Sequence, residues 1–149
     1  MALTSFTPSV QFGRFSTLAY PTVTPVTKTL TTAGGVITLT TAELLGGLLR
    51  VDTNDAQTLT TPTAALIVAA IQGCMVGASF DVDVINYGDT TLTIGLGTGV
   101  TKLTIAGVAV VMTLATLTAK RLKFVVTNNT VGSEAIEVYA FGSTAAAVA

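Results

Sequence analysis

The sequence predicts an all-β protein, an antiparallel β-sandwich of the jelly-roll kind with one short buried helix and an extended amino-terminal arm. Three observations predict this class. Threonine makes up about a fifth of the chain, and β-branched side chains favour extended backbone. Several segments alternate between apolar and polar residues, and Gly- or Asn-containing turns separate them at intervals of roughly 8 to 12 residues.

The alternation is clearest in residues 79–84, where every second residue is apolar. Residues 91–96 repeat it after the turn 86–89, which predicts a β-hairpin joining these two strands. A second turn, 128–133, is expected to let the last two strands pair. The remaining predicted strands are 27–32, 36–40, 48–53, 57–60, 100–105, 108–114, 120–127 and 134–141.

One helix is expected to interrupt the strands. Thr61 can cap its amino end, Pro62 suits the first helical position, and Gly73 suits its carboxyl end. Residues 64–71 are apolar on every face, so this helix is expected to be buried and to close one end of the sandwich. The sequence also allows a second, shorter helical turn at residues 41–45. No repeat of fixed period is found.

Residues 1–26 are predicted to form an extended arm, with the β-sandwich domain covering residues 27–149. They contain three of the four prolines and four of the nine aromatic residues. Proline fixes φ and moves the preceding residue out of the helical region, so residues 21–25 are expected to be extended. An extended segment cannot bury its own aromatic side chains, which must pack on this domain or on a neighbouring subunit. The candidate anchors are Phe6, Phe12, Phe15 and Tyr20.

Charged residues make up 10% of the chain, against roughly 25% in an ordinary soluble domain. Much of the surface must therefore be Thr, Ser, Ala and Gly, which suits a protein whose faces are covered by neighbours. A net charge of −1 without a large basic cluster disfavours nucleic-acid binding. Lys120, Arg121 and Lys123 do lie close together. On a strand, Arg121 and Lys123 share one face and Lys120 takes the other, which favours a solvated strand end over an anion site.

Membrane insertion is not expected. The uncharged stretch 103–119 is short of the ~20 apolar residues that a span needs and contains four threonines, so it is interpreted as two strands and a turn. The amino terminus has neither the basic region nor the apolar run of a signal peptide.

The sequence predicts neither an enzyme nor a cofactor or metal site. It has no histidine, which excludes Ser-His-Asp and Cys-His arrangements and the usual zinc sites. Cys74, the single cysteine, is expected to be a buried structural thiol. Asp81, Asp83 and Asp89 could together hold a calcium ion, but charges along a solvated strand edge are the commoner meaning of this pattern.

Residues 58–101 read TLTTPTAALIVAAIQGCMVGASFDVDVINYGDTTLTIGLGTGVT, and TNNTVGSEAIEVYAFG follows near the end. A T-P-T-A-A helix, V-G-A-S-F leading a strand, I-N-Y-G at a turn and G-T-G-V-T after it resemble small β-rich structural proteins of tailed phages and large DNA viruses. The resemblance covers roughly the last 90 residues and leaves out the arm. It implies a capsid decoration, cement or head-fibre subunit with a β-sandwich or jelly-roll body, usually a homotrimer on the capsid surface of the virion.

The expected function is therefore that of a structural virion protein. It would be a capsid decoration or cement subunit that binds the major capsid protein or other shell subunits and stabilises them, with the arm as anchor. The alternative is a receptor- or glycan-binding fibre or adhesin domain. Such a domain would present exposed aromatic side chains in loops, such as Tyr87.

Overall fold

The computed structural model of this chain describes residues 24–30, 35–105 and 107–145. In chain order the elements are β1 (Thr24–Leu30), β2 (Val36–Thr38), α1 (Thr41–Leu45), β3 (Gly47–Thr53), β4 (Gln57–Thr60), α2 (Ala64–Ala70), β5 (Ser79–Asn86), β6 (Leu92–Gly95), β7 (Val100–Lys102), β8 (Thr104–Ile105), β9 (Val108–Ala109), β10 (Thr113–Leu114), β11 (Thr118–Asn128) and β12 (Ala135–Ala145).

The strands form two mixed sheets that enclose the core. The larger sheet has the strand order β1-β3-β5-β11-β12-β7, and the smaller sheet has the order β10-β6-β4-β2. The short antiparallel pair β8 and β9 stands apart from both. It falls within the uncharged stretch 103–119, which the sequence analysis interpreted as strands. No helix among the described residues is long and apolar enough to span a bilayer.

From β1 to β6 the chain winds in coils, and each coil adds one strand to each sheet. Strands β1, β3 and β5 are parallel neighbours in the larger sheet, as are β2, β4 and β6 in the smaller one. Both helices lie where the chain returns from the smaller to the larger sheet. We call that end of the sandwich the helix end, and the opposite end, where residues 54–56 and 87–91 cross between the sheets, the turn end.

The predicted antiparallel jelly-roll is wrong. Of the nine strand pairs among the described residues, five are parallel. The reason is that apolar–polar alternation fixes which face of a strand is buried and does not fix the direction of its neighbour. Antiparallel pairing does occur where β11 meets β5 and where β11 and β12 pair across the predicted turn 128–133.

The hairpin predicted at residues 86–89 is also wrong. Strand β5 belongs to the larger sheet and β6 to the smaller, so this turn carries the chain from one sheet to the other. Gly88 packs so closely on β3 that a Cβ atom would lie 2.0 Å from the backbone nitrogen of Thr53. The glycine is therefore needed because successive coils approach each other closely here, and not because of a two-residue hairpin loop.

Successive coils differ in length, which explains why the sequence shows no fixed repeat. Thr24 pairs with Gly47, 23 positions later, whereas Leu48 pairs with Asp83, 35 positions later. The longer coil contains α2 and the loop after it. Repeat detection needs a constant period, and this winding does not supply one.

Helix α1 occupies the residues where a short helical turn was allowed, so the described part of the chain has two helices rather than the single one predicted. Thr40 and Glu43 form a capping box at its start, with the Thr40 backbone N–H donating to Glu43 Oε2 at 2.8 Å. Lys28 of β1 forms an ion pair with the same carboxylate. Burial alone would raise the pKa of Glu43, but the hydrogen bonds from Lys28 and Thr40 outweigh it and leave the pKa below its usual value.

Helix α2 begins at Ala64 and is capped by Thr63, whose hydroxyl accepts from the Leu66 backbone N–H, rather than by Thr61 as predicted. The prediction of a buried helix is wrong. Ala64 and Ile67 are buried, whereas Leu66 is 57% exposed. The helix lies at the end of a two-layer sandwich, so no described element covers its outer side.

The core lies between the two sheets and is built mainly from β3, β4, β5, β6, β11 and β12. The rings of Phe80 and Phe124 stack with their centroids 4.9 Å apart. The largest fully buried side chains are Phe124, Leu44, Leu49, Leu59, Ile67, Leu92, Leu114, Leu122, Ile136, Val51 and Val82. Removing apolar area of this extent from water is the main favourable contribution to folding.

At the turn end, the buried side chain of Asn86 joins both sheets. Its Nδ2 donates to the carbonyl of Thr90 at 2.7 Å and lies 3.2 Å from the carbonyls of Leu114 and Ala115, beside β10. Its Oδ1 accepts from the hydroxyl of Thr53 at 3.0 Å and from the Gly88 N–H at 3.2 Å. One amide thus satisfies groups from β3, from the crossing turn and from the smaller sheet.

Replacing Asn86 by leucine should destabilise the protein by about 3 kcal/mol or more, because several buried polar groups lose their partner together. Chemical denaturation followed by circular dichroism measures this change. The matched control is Asn129→Leu, since Asn129 makes an exposed hydrogen bond to the Cys74 carbonyl, and its loss should cost less than about 0.5 kcal/mol. Equal losses for the two variants would contradict the assigned role of Asn86.

Candidate interaction surface

The outward face of the smaller sheet carries two rows of aligned residues, and we call it the threonine face. In the first row Val36 lies beside Thr58, Thr58 beside Thr93, and Thr93 beside Thr113. In the second row Thr60 lies between Thr38 and Gly95. The alternating residues of β4 and β6 point inwards and are buried.

The threonine face carries no charged side chain within the described ranges. A threonine presents a methyl group and a hydroxyl, so the face is weakly apolar and can still form hydrogen bonds. Gly95 leaves room for this packing, since a Cβ atom there would lie 2.6 Å from the hydroxyl oxygen of Thr60 and 2.9 Å from the methyl of Thr58. Val36 at one edge is 69% exposed, and Val111, next to buried Met112 at the other edge, is 65% exposed.

The outward face of the larger sheet is charged instead, and four of its charged side chains form two ion pairs. Arg121 binds Asp83 through two hydrogen bonds of 2.8 Å, and Lys123 binds Asp81 at 3.0 Å. The hydrogen bonds from Arg121 lower the pKa of Asp83 below its ordinary value. Arg121 and Lys123 share this outward face as predicted, and each has a carboxylate partner, which leaves no free cationic pair for an anion.

The same ion pairs bear on the calcium hypothesis. Asp81 and Asp83 each hold a cationic side chain, and Asp89 lies in the turn at the far end of β5. Within residues 24–30, 35–105 and 107–145, no three His, Cys, Asp or Glu residues are grouped closely enough to bind a metal ion.

A groove lies at the helix end of the smaller sheet, where β2, β4 and β6 end. Its volume is about 720 Å³, which falls in the range of ligand-sized sites. Seven threonines and five uncharged residues line it, and it continues the threonine face at Thr38 and Thr60. The lining residues are Thr38, Leu39, Thr40, Thr41, Thr60, Thr61, Pro62, Thr63, Leu66, Leu96, Gly97 and Thr98.

Exposed apolar side chains are concentrated in a few places. Val36, Val111 and Leu66 border the threonine face and the groove. A second group, at the loops of the helix end, includes Met75 and Val131. Val36 and Val111 stand at opposite edges of the threonine face and Leu66 at the groove, so covering this side of the sandwich would bury all three.

The loop residue Tyr87, which the glycan-binding alternative requires to be exposed, is half-buried. The guanidinium of Arg50 lies 5.4 Å from the centre of its ring. Cys74 is also half-buried rather than fully buried, and it packs against the edge of the core. Neither side chain forms part of an open aromatic or reactive site.

The predicted anchors Phe6, Phe12, Phe15 and Tyr20 lie outside the described residues. The predicted boundary between arm and domain, at residues 26 and 27, falls inside β1, which begins at Thr24. The arm therefore remains a prediction for residues 1–23, and the last three residues assigned to it belong to a strand.

Lys120 faces the core side of the larger sheet, as predicted from its position next to Arg121. It is 7% exposed, and its Nζ donates to the carbonyls of Val111 and Thr113 at 2.8 and 2.9 Å. Burial lowers the pKa of Lys120 below its ordinary value. Through these hydrogen bonds the lysine connects β11 to the start of β10 and to the residues just before it.

Comparisons with protein-family models, with curated proteins and with solved structures each found no match to this chain.

The threonine face was missed by the sequence analysis. A weak signal for it exists, because the triplet Thr-Leu-Thr occurs at residues 38–40, 58–60 and 91–93, but the same triplet occurs at 29–31 and 116–118, away from this face. Each of the first three contributes one or two threonines to the face and one buried leucine to the core. Their alignment, with Thr38 beside Thr60 and Thr58 beside Thr93, is known only from the parallel register.

The lowered pKa of Lys120 predicts that the folding stability depends on pH. The unfolded chain binds the Lys120 proton up to about pH 10.5, whereas the folded chain releases it at lower pH, so folding stability gains from Lys120 as the pH rises through that window. The difference in unfolding free energy between the wild type and Lys120→Met should therefore increase towards pH 10.5. Urea denaturation at several pH values measures it. A difference that is flat or falls over this range would contradict the assignment.

Proposed function

We propose that this chain is a structural virion protein, a decoration or cement subunit that binds neighbouring capsid subunits at the capsid surface and stabilises them. The observation that carries the proposal is the separation of charge between the two faces of the sandwich. Charged side chains, including the ion pairs Arg121–Asp83 and Lys123–Asp81, lie on the outward face of the larger sheet, while the threonine face and the groove beside it are uncharged. The resemblance to small phage and viral shell proteins supports the same assignment.

An uncharged face suits lasting attachment because removing it from water costs little free energy. Burying a charge without a partner costs several kcal/mol, whereas hydroxyls need only a hydrogen bond and methyl groups gain from burial. The centres of stable interfaces are correspondingly depleted of charged residues. The larger sheet, with its ion pairs exposed, is the face suited to solvent.

The size of the threonine face limits what it can do alone. Four strands about 4.8 Å apart and at most four residues long, at about 3.3 Å each, span no more than roughly 250 Å². A stable interface covers about 800 Å² on each partner. Attachment therefore needs further contacts, which the arm of residues 1–23 would supply.

Introducing a charge on the threonine face should abolish attachment. In Thr93→Lys, a lysine in the middle of the first row would be buried without a partner at the interface, so particle occupancy should fall about tenfold or more. Occupancy is measured as the stoichiometric ratio of this chain to the larger shell subunit on purified particles. The matched control is Thr29→Lys, at an exposed position on the outward side of β1 in the larger sheet.

Wild-type occupancy for Thr29→Lys together with loss for Thr93→Lys supports the proposal. Equal retention of both variants, or a wild-type chain that never purifies with particles at a fixed ratio, would contradict it. Melting temperatures of both variants should stay close to that of the wild type, because both side chains point outwards.

Deleting residues 1–23, rather than the predicted 1–26, should leave the strand order intact because β1 begins at Thr24. The truncated chain is expected to keep its circular dichroism spectrum and cooperative unfolding while its occupancy on particles drops, since Phe6, Phe12, Phe15 and Tyr20 are removed. Full occupancy after truncation would exclude the arm as an anchor.

A further inference from the structure

The groove at the helix end has a polar character set by three threonine hydroxyls. Those of Thr40, Thr61 and Thr63 each accept a backbone N–H, from Glu43, Gly97 and Leu66 respectively, at 3.0 to 3.3 Å. A hydroxyl that accepts one hydrogen bond still has a proton to donate. Thr61 is 2% exposed, so the donors that the groove presents for carbonyl or phenol oxygens are the hydroxyls of exposed Thr40 and half-buried Thr63.

Apolar contact in the groove comes from Leu66, Leu96 and Pro62. Leu66 is more than half exposed, so it gains burial if the groove is filled. No charged side chain lines the groove, which disfavours a charged ligand. The matching occupant is an uncharged segment that brings an apolar ring and hydrogen-bond acceptors.

Residues 1–23 of this chain have that chemistry. They contain four aromatic residues, and Arg14 is their only charged side chain. They also join the sandwich at the helix end, where the groove lies. They lead into Thr24, which pairs with Gly47 directly after α1, and α1 begins at Thr41 on the wall of the groove.

Two prolines favour a second copy of the chain, rather than the same subunit, as the source of the segment that fills the groove. Pro25 is exposed in β1, and Pro21 lies four residues earlier; both restrict the backbone to extended conformations. For a stiff, extended segment, folding back directly onto its own sandwich is disfavoured. Fully extended, 23 residues span up to about 75 Å, which is ample to reach a second subunit.

We propose that the groove of one subunit binds an aromatic side chain and its flanking backbone carbonyls from residues 1–23 of a second copy of this chain. Phe6, Phe12, Phe15 and Tyr20 are the side chains that can fill it. Such an exchange of arms links copies into a closed oligomer, in line with the predicted homotrimer. It concerns the association of copies and holds whether or not they attach to a capsid.

Photo-cross-linking of the full chain tests this proposal. A benzophenone amino acid is placed at position 66, and equal amounts of ¹⁵N-labelled and unlabelled protein are mixed, irradiated and digested with trypsin. Residues 1–14 and 15–28 are the expected tryptic peptides, and fragmentation locates the cross-link within residues 1–23. The same probe at Val131, which is 91% exposed in the turn between β11 and β12, is the matched control.

The expected result is cross-links from position 66 to residues 1–23, about half of them joining labelled to unlabelled chains, and none from position 131. Cross-links that never mix the isotopes would assign the groove to the subunit's own arm and overturn the proposal. Cross-links to other residues, or none from position 66, would overturn it as well.

A second measurement guards against a probe that itself blocks the groove. Sedimentation of the full chain should show self-association weakened about tenfold or more in Leu66→Glu, because the apolar contact is lost and a carboxylate is buried without a partner. Val131→Glu should associate like the wild type. Unchanged association of Leu66→Glu, or a monomeric wild type, would contradict the arm exchange.

Discussion

The architecture depends on the way in which successive coils are held together at the turn end, and the buried amide of Asn86 is central to that contact. It connects β3, the turn after β5 and the carbonyls beside β10, all without exposure to water. Gly88 allows the turn to approach the backbone of Thr53. Backbone bonds from Tyr87 and Asp89 to Val51 and Thr53 complete the junction. The polar groups of a crossing turn are thereby satisfied inside the protein, as burial requires.

The distribution of charge follows from this winding. Each coil sends one strand to each sheet, so strands with charged outward residues gather in the larger sheet and strands with outward threonines gather in the smaller one. Parallel stacking in register then aligns Thr58 with Thr93 and Thr60 with Thr38. The few charged residues of the chain thus leave one face uncharged and place two ion pairs on the other. Low net charge alone would not show which surface is available to a neighbour.

Strand positions could be predicted from the sequence because side-chain alternation reports directly which residues are buried, as residues 79–84 illustrate. Strand partners could not, because pairing of Leu48 with Asp83 depends on coil lengths that local sequence does not encode. The orientation of Lys120 followed from its neighbours, but its hydrogen bonds to Val111 and Thr113 required the tertiary structure. Helix α2 was expected to be buried because of its composition, yet burial depends on what covers a helix. The groove brings together residues from three strand ends, so local sequence patterns could not predict it.

The central claim is that the uncharged side of the sandwich is the side covered by neighbours. Hydroxyl-radical footprinting of the free chain and of the chain on intact particles tests it directly, because the rate of side-chain oxidation reports solvent exposure. Val36 and Val111 border the threonine face, whereas Val131 lies in the turn between β11 and β12. We predict that oxidation of Val36 and Val111 falls several-fold on particles while that of Val131 is unchanged. Protection of Val131 with Val36 and Val111 still fully reactive would contradict the account.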